Sequence, residues 1–149
     1  MRIRNEIVKA IYDAGGKILA GSDTPEFLFL YGFSEHRELK ALADSGVPNY
    51  AVLAAGTRNA HEFFGTIGQS GTIEKGKRAD LVLLNANPLD DIRNARDIAG
   101  VIVGGRWLSA RRLREQTDEN IAYFAGLERK AGLMANRTRY LKDCRSGSL

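Results

Sequence analysis

Histidine, cysteine and proline are scarce in this chain of 149 residues, which has His36, His61, Cys144 and three prolines. One cysteine excludes an intramolecular disulfide and a cysteine-based zinc cage, and it makes a reducing, cytoplasmic setting the expectation. Two histidines fall short of a catalytic zinc site, which normally takes three protein ligands and leaves a further position open. There is no His-x-His pair. No run approaches the ~18 consecutive apolar residues that a membrane span needs. Glu6, Lys9 and Asp13 interrupt any signal-peptide core near Met1. The Walker and Gly-x-Gly-x-x-Gly spacings are also missing, so Gly68, Gly71 and Gly76 read as turn residues, not as a phosphate loop.

What is present is ordinary globular composition, 44% apolar and 27% charged. The net charge of +4 is uneven: residues 1–105 carry 12 basic and 13 acidic side chains, residues 106–149 carry 10 and 5. Clustered Lys and Arg can bind an anionic partner. The plainer reading is a solvated terminal helix, because no stacking aromatics accompany the charge. Nucleic acid and membrane are therefore not expected partners.

Along the chain, Ile3, Ile7, Ala10, Ile11 and Ala14 recur at helical spacing and predict a helix, with Gly15 and Gly16 as the stop. Residues 17–20 read as a short buried strand. Gly21 and Ser22 let the backbone turn, and Asp23 then stands at the strand's C-terminal end. In parallel α/β architectures strand ends on that side carry the chemistry. The bland alternative is an Asp that caps its own turn. After an aromatic loop, a helix is predicted with Ser34 as its cap, Leu39 and Leu42 on its buried face and Gly46 as terminator. His36 lies near its start, as a surface residue or a substrate contact. A single helix is predicted from Pro48 to Gly65, with Tyr50, Leu53, Ala54, Ala60 and Phe64 inward and His61 structural. Apolar runs at 81–84 and 101–103 read as strands, and Gly104-Gly105 signals a hairpin whose return strand holds Trp107, a core or edge residue. Residues 108–141 return to helical pattern, with Leu113, Ile121, Phe124 and Leu127 as a stripe, before a frayed polar tail.

The blocks AGSD, FSEHRELKAL, YAVLAAGTRNAHEFFG, GTIEKGKRADLVLLNANPLDDI and IAGVIVGGRWL, in this order, resemble the C-terminal third of the metal-dependent amidohydrolases. The likeness runs from about residue 5 to residue 108 and is nearest to the branch with imidazolonepropionase and prolidase-like enzymes. It implies an α/β fold: the terminal βα part of a (β/α)₈ barrel over residues 1–66, a small antiparallel β-subdomain over 67–108, and a C-terminal helical extension over 109–149. Residues 81–84 and 101–103 would then be covered on both faces by strands from elsewhere.

The resemblance assigns Asp23 to the aspartate that ends the eighth barrel strand, a metal ligand and proton acceptor. It places Thr24 and His36 beside the substrate, a small-molecule amide or cyclic amide. It implies one or two divalent metals, zinc being the expected one, in the complete enzyme only. The family's His-x-His pair and metal-ligand lysine have no counterpart in this chain. The chain therefore reads as a C-terminal part with little or no turnover alone, whose partner is the missing N-terminal part or another copy of itself. The alternative is a non-catalytic binding or oligomerisation module derived from the same fold.

Overall fold

Val52 has no solvent exposure, and the core of the protein is built around it by Leu39, Leu42, Val47, Ala55 and Ile92. The computed structural model describes residues 2–24 and 32–130. In chain order the elements are α1 (Arg2–Asp13), α2 (Phe33–Asp44), α3 (Asn49–Ala55), α4 (Arg58–Phe63), β1 (Leu81–Leu84), a 3-10 helix η1 (Ile92–Arg96), β2 (Ile98–Val103), β3 (Arg106–Ser109) and α5 (Ala110–Lys130). They fall into two compact units, Met1–Leu108 and Ser109–Leu149.

In the first unit, α2 contributes Leu39 and Leu42, three residues apart and therefore on one side of the helix. Val8, Tyr12, Ile18 and Ala20 pack against the same cluster, which brings α1 and the segment after it onto α2 and α3. The buried side of α1 is thus the Val8–Tyr12 side. Ile3, Ile7 and Ile11, which recur at helical spacing, remain 73%, 54% and 48% exposed. Ile92 of η1 joins the core too, tying the small sheet region to α2.

Three expectations are corrected. Ser34 lies inside α2, buried, and the N-cap position is Gly32, which provides no side-chain cap. The helix predicted from Pro48 to Gly65 is broken into α3 and α4 at Gly56 and Thr57. Leu39 Cδ2 approaches Gly56 so closely that a Cβ there would lie 3.3 Å from it, and Thr57 Oγ1 donates back to Leu53 O at 2.7 Å. Tyr50 and Phe64 are exposed, while Val52, Ala54 and Ala55 take the inner positions.

Residues 17–20 carry no assigned strand. Burial nevertheless alternates residue by residue from Gly16 to Thr24, the period-2 pattern of an extended segment covered on one side. A strand is defined by its ladder, and no strand among the described residues lies alongside this one.

The sheet is antiparallel and three-stranded in the order β1-β2-β3. Its first pair runs Leu81 opposite Ile102, Val82 opposite Val101 and Leu83 opposite Gly100, with a bulge before Leu84 meets Ile98. Gly104 and Gly105, both at positive φ, form the predicted two-residue hairpin between β2 and β3. Asp80 Oδ1 accepts the Gly104 N–H at 2.7 Å and Ala79 O accepts the Gly105 N–H at 3.0 Å, so the Arg78-Ala79-Asp80 block fastens this turn. In the second unit, Ser109 Oγ caps α5 by accepting the Arg112 N–H. Arg111 and Arg112 pair with Glu115 along its surface. Phe124 is exposed, whereas Leu113 and Ile121 are half-buried. No helix among the described residues is long and apolar enough to cross a membrane. The polar tail predicted to fray lies outside the described residues.

Candidate active-site segment

The segment ending at Asp23 is held by three anchors. Ala20 N–H donates to Ala55 O at 3.1 Å, and Asn59 Nδ2 donates to Ile18 O at 3.0 Å. Lys17 Nζ pairs with Glu62 Oε2 at 2.6 Å, with Arg58 on the other oxygen of Glu62. These bonds fix the backbone from one side, so Ile18 and Ala20 face the core and the intervening positions face outward.

Asp23 terminates this segment at φ 51°, the one non-glycine residue among those described with a positive φ. That region is sparsely used by L-residues, and Asp and Asn enter it at the lowest cost after glycine. The carboxylate is exposed, and no described residue hydrogen-bonds or ion-pairs with it. Flanking it, Ser22 Oγ and Thr24 Oγ1 lie 2.7 Å apart and tie the turn together. From the sequence Ser22 is legible only as a turn residue; its bond to Thr24, two positions away, is created by the turn geometry.

His36 sits in the first turn of α2, half-buried. Its Nδ1 is enclosed, with no hydrogen-bond partner among the described residues. Burial, reinforced by the nearby positive charge of Arg96, lowers its pKa, so the ring is neutral at pH 7. Glu35 beside it is raised by burial and then by the like charge of Glu38. No hydrogen bond or ion pair joins His36 to Asp23. Asp23 and Thr24 are neighbours in one turn, and His36 stands on the next element.

His61 occupies a different place. Its Nδ1 lies 2.8 Å from Thr66 Oγ1 and 3.0 Å from Ser70 Oγ, so it pins the turn after α4 as a structural residue.

Among the described residues no group of three or more His, Cys, Asp or Glu side chains gathers as a metal site. Asp23 offers one donor. Cys144 lies outside the described residues.

Residues 4–108 match the amidohydrolase family. No curated protein matches the chain. Among solved structures, the chain is 35% identical to a candidate prolidase from Bifidobacterium longum, with a TM-score of 0.62 over 68% of this chain and 25% of that one. A bottromycin amidohydrolase is 28% identical, with a TM-score of 0.66 over 75% of this chain and 24% of that one. A prolidase complexed with N-methylphosphonate-L-proline is 28% identical, with a TM-score of 0.57 over 70% of this chain and 26% of that one. The chain spans about a quarter of the length of these structures. Its mixed α/β framework and three-stranded antiparallel sheet are those of a portion of their fold, and with more than two-thirds of its length matched, the chain belongs to the amidohydrolase family.

Proposed function

We propose that this chain supplies the strand-end carboxylate of a metal-dependent hydrolase acting on carbon–nitrogen bonds, amide or cyclic amide. In this reading residues 1–66 are the last βα part of a barrel, 67–108 its small β-subdomain and 109–149 a helical extension. The observation that carries it is the placement of Asp23. It is exposed, without a partner among the described residues, and it ends an extended segment anchored from one side.

Such a carboxylate suits general acid–base work. As water attacks the carbonyl carbon, Asp23 takes one of its protons and passes that proton to the leaving nitrogen, which departs as an amine. Thr24 and His36 border the substrate, His36 as a neutral ring able to accept or donate one hydrogen bond. A divalent cation, zinc being the expected one, does not fit the described residues by themselves, since Asp23 is a lone donor and His36 does not converge on it. Its remaining ligands belong to a part of the protein beyond these residues, and the chain alone is expected to turn over little. The proline-like ligand of one relative favours an amino-acid-derived amide as substrate. A cytoplasmic setting belongs to the same proposal.

The test is hydrolysis by the chain co-expressed with the complementary part of a relative, on Xaa-Pro dipeptides, N-acyl amino acids and cyclic amides. Asp23→Asn is expected to lower kcat by about 10²–10⁴-fold, the usual worth of a positioned acid–base group, with unchanged thermal unfolding. Undiminished turnover in that variant overturns the assignment. A second reading, a non-catalytic binding or oligomerisation module, is favoured by the exposed isoleucines of α1. Tight association with no hydrolysis across the panel would select it.

A further inference from the structure

We infer that Ser22 is a positioning residue for the proposed chemistry: its hydroxyl, bonded to that of Thr24, holds Asp23 in the left-handed conformation that presents the carboxylate. Only the catalytic consequence rests on the proposed function; the turn geometry stands by itself.

From Ile18 to Thr24 every second residue is half-buried and those between are exposed. The inward row begins with Ile18 and Ala20, which pack on the core, and ends with the hydroxyls of Ser22 and Thr24. Asp23 belongs to the outward row. In a straight extended chain, neighbours within one row stand about 6.6 Å apart along the axis, twice the rise per residue. Hydroxyls carried directly on Cβ do not close that gap to the observed 2.7 Å. Asp23 closes it: at φ 51° the chain bends between the two residues and brings their side chains together. Hydroxyl bond and left-handed turn therefore stabilise each other.

The anchors on the Ala20 N–H and the Ile18 carbonyl act three or more residues before Asp23. Apart from the hydroxyl pair, no hydrogen bond joins residues 21–24 to another described residue. A non-glycine residue keeps a left-handed conformation only where its surroundings over-determine it, and here the pair is what spans it. One neutral hydrogen bond has the right size for this, since Asp enters the region more readily than most residues. Its loss shifts such an equilibrium by about two- to tenfold. A carboxylate that moves a proton feels the shift, because a displacement of about 1 Å can cost about 10²-fold in rate. Ser22 thus acts through Asp23 and not on the substrate.

The isotope-labelled full chain is compared with Ser22→Ala, Thr24→Val, Ser22→Thr and Thr24→Ser by nuclear Overhauser spectroscopy. A left-handed residue brings its own amide proton and Hα unusually close, so the strength of that cross-peak reports the Asp23 backbone. Ser22→Ala and Thr24→Val are expected to weaken it by about twofold or more, whereas the two variants that keep a hydroxyl preserve it. Unchanged amide shifts of Leu39, Leu42 and Val52 show that the core is intact in each variant. A weak cross-peak in the unsubstituted chain, or one indifferent to the loss of either hydroxyl, overturns the inference. In the co-expressed enzyme, Ser22→Ala is expected to lower kcat about tenfold with KM within about twofold, and Ser22→Thr to recover most of it. Full kcat in Ser22→Ala, where Asp23→Asn loses turnover, also overturns it. Turnover indifferent to Asp23→Asn, or no hydrolysis across the panel, refutes the proposed function instead, and the cross-peak still decides what holds Asp23.

Discussion

Asp23 illustrates how conformation narrows chemistry at a single residue. At φ 51° a residue with an ordinary Cβ is strained, so Asp23→Ala is expected to lower stability by about 1–2 kcal/mol relative to Asp23→Gly. Urea unfolding of the two variants checks this. Gly100 shows the opposite constraint, one of space. A Cβ at this position would meet the Trp107 ring at Cη2 and Cζ2 and lie 2.8 Å from Leu108 O. Gly100→Ala is therefore expected to destabilise the protein by about 1–3 kcal/mol, the usual cost of overpacking. It should also shift the Trp107 emission. His36 supplies a pH dependence. Its folded pKa is lowered by burial and then by Arg96, so the folded state resists protonation. The stability linked to neutral His36 is fully present above its ordinary value of 6.5 and is lost as pH falls through the lower folded value. The chemical-denaturation midpoint should fall between pH 7 and pH 5, and fall less in His36→Gln.

At the scale of elements, what could be read in advance was whatever depends on local chemistry. The hairpin was legible because two glycines in a two-residue turn satisfy a backbone demand that few residues meet. Gly105→Val is expected to cost more than Gly104→Asn, since Asn tolerates positive φ and a β-branched residue does not. Near-ultraviolet circular dichroism of Trp107 would follow that hairpin. The helix α2 and its terminator were legible for the same reason. The orientation of α1 was not: its isoleucines recur at helical spacing, but Val8 and Tyr12 are the residues that pack against the core cluster. Periodicity tells which residues share a face and is silent on which face a neighbour takes. The break at Gly56 was hidden as well, because it answers to Leu39 on a different helix. Of the candidate site, Asp23 was visible from its place after an apolar run, whereas the anchors Asn59 and Glu62 were not, since they act on residues more than 40 positions away.

For the molecule as a whole, the small core sets the response to mutation. Leu42 is nearly buried within it, and Leu42→Ala is expected to destabilise the first unit by about 2–5 kcal/mol, measured by chemical denaturation. Two compact units need not unfold together. The one tryptophan, Trp107, lies in the first unit, whereas α5 belongs to the second. Exposed along most of its described surface and held by surface ion pairs, α5 is expected to lose helicity gradually. Far-ultraviolet circular dichroism and Trp107 fluorescence should give different midpoints on heating; coincident curves would show a single cooperative transition.

The interruption between α3 and α4 has a reach beyond those two helices. In an unbroken helix, Ala55 O would receive the N–H of Asn59 four residues on. Because the backbone swerves at Gly56 and Thr57, that oxygen is released and takes the Ala20 N–H instead, while Asn59 turns its side-chain amide to Ile18 O. Helical continuity and the seating of the Asp23 segment thus compete for a single acceptor, and the kink works as a clasp. Substitutions that straighten it would loosen the carboxylate without touching any residue near it.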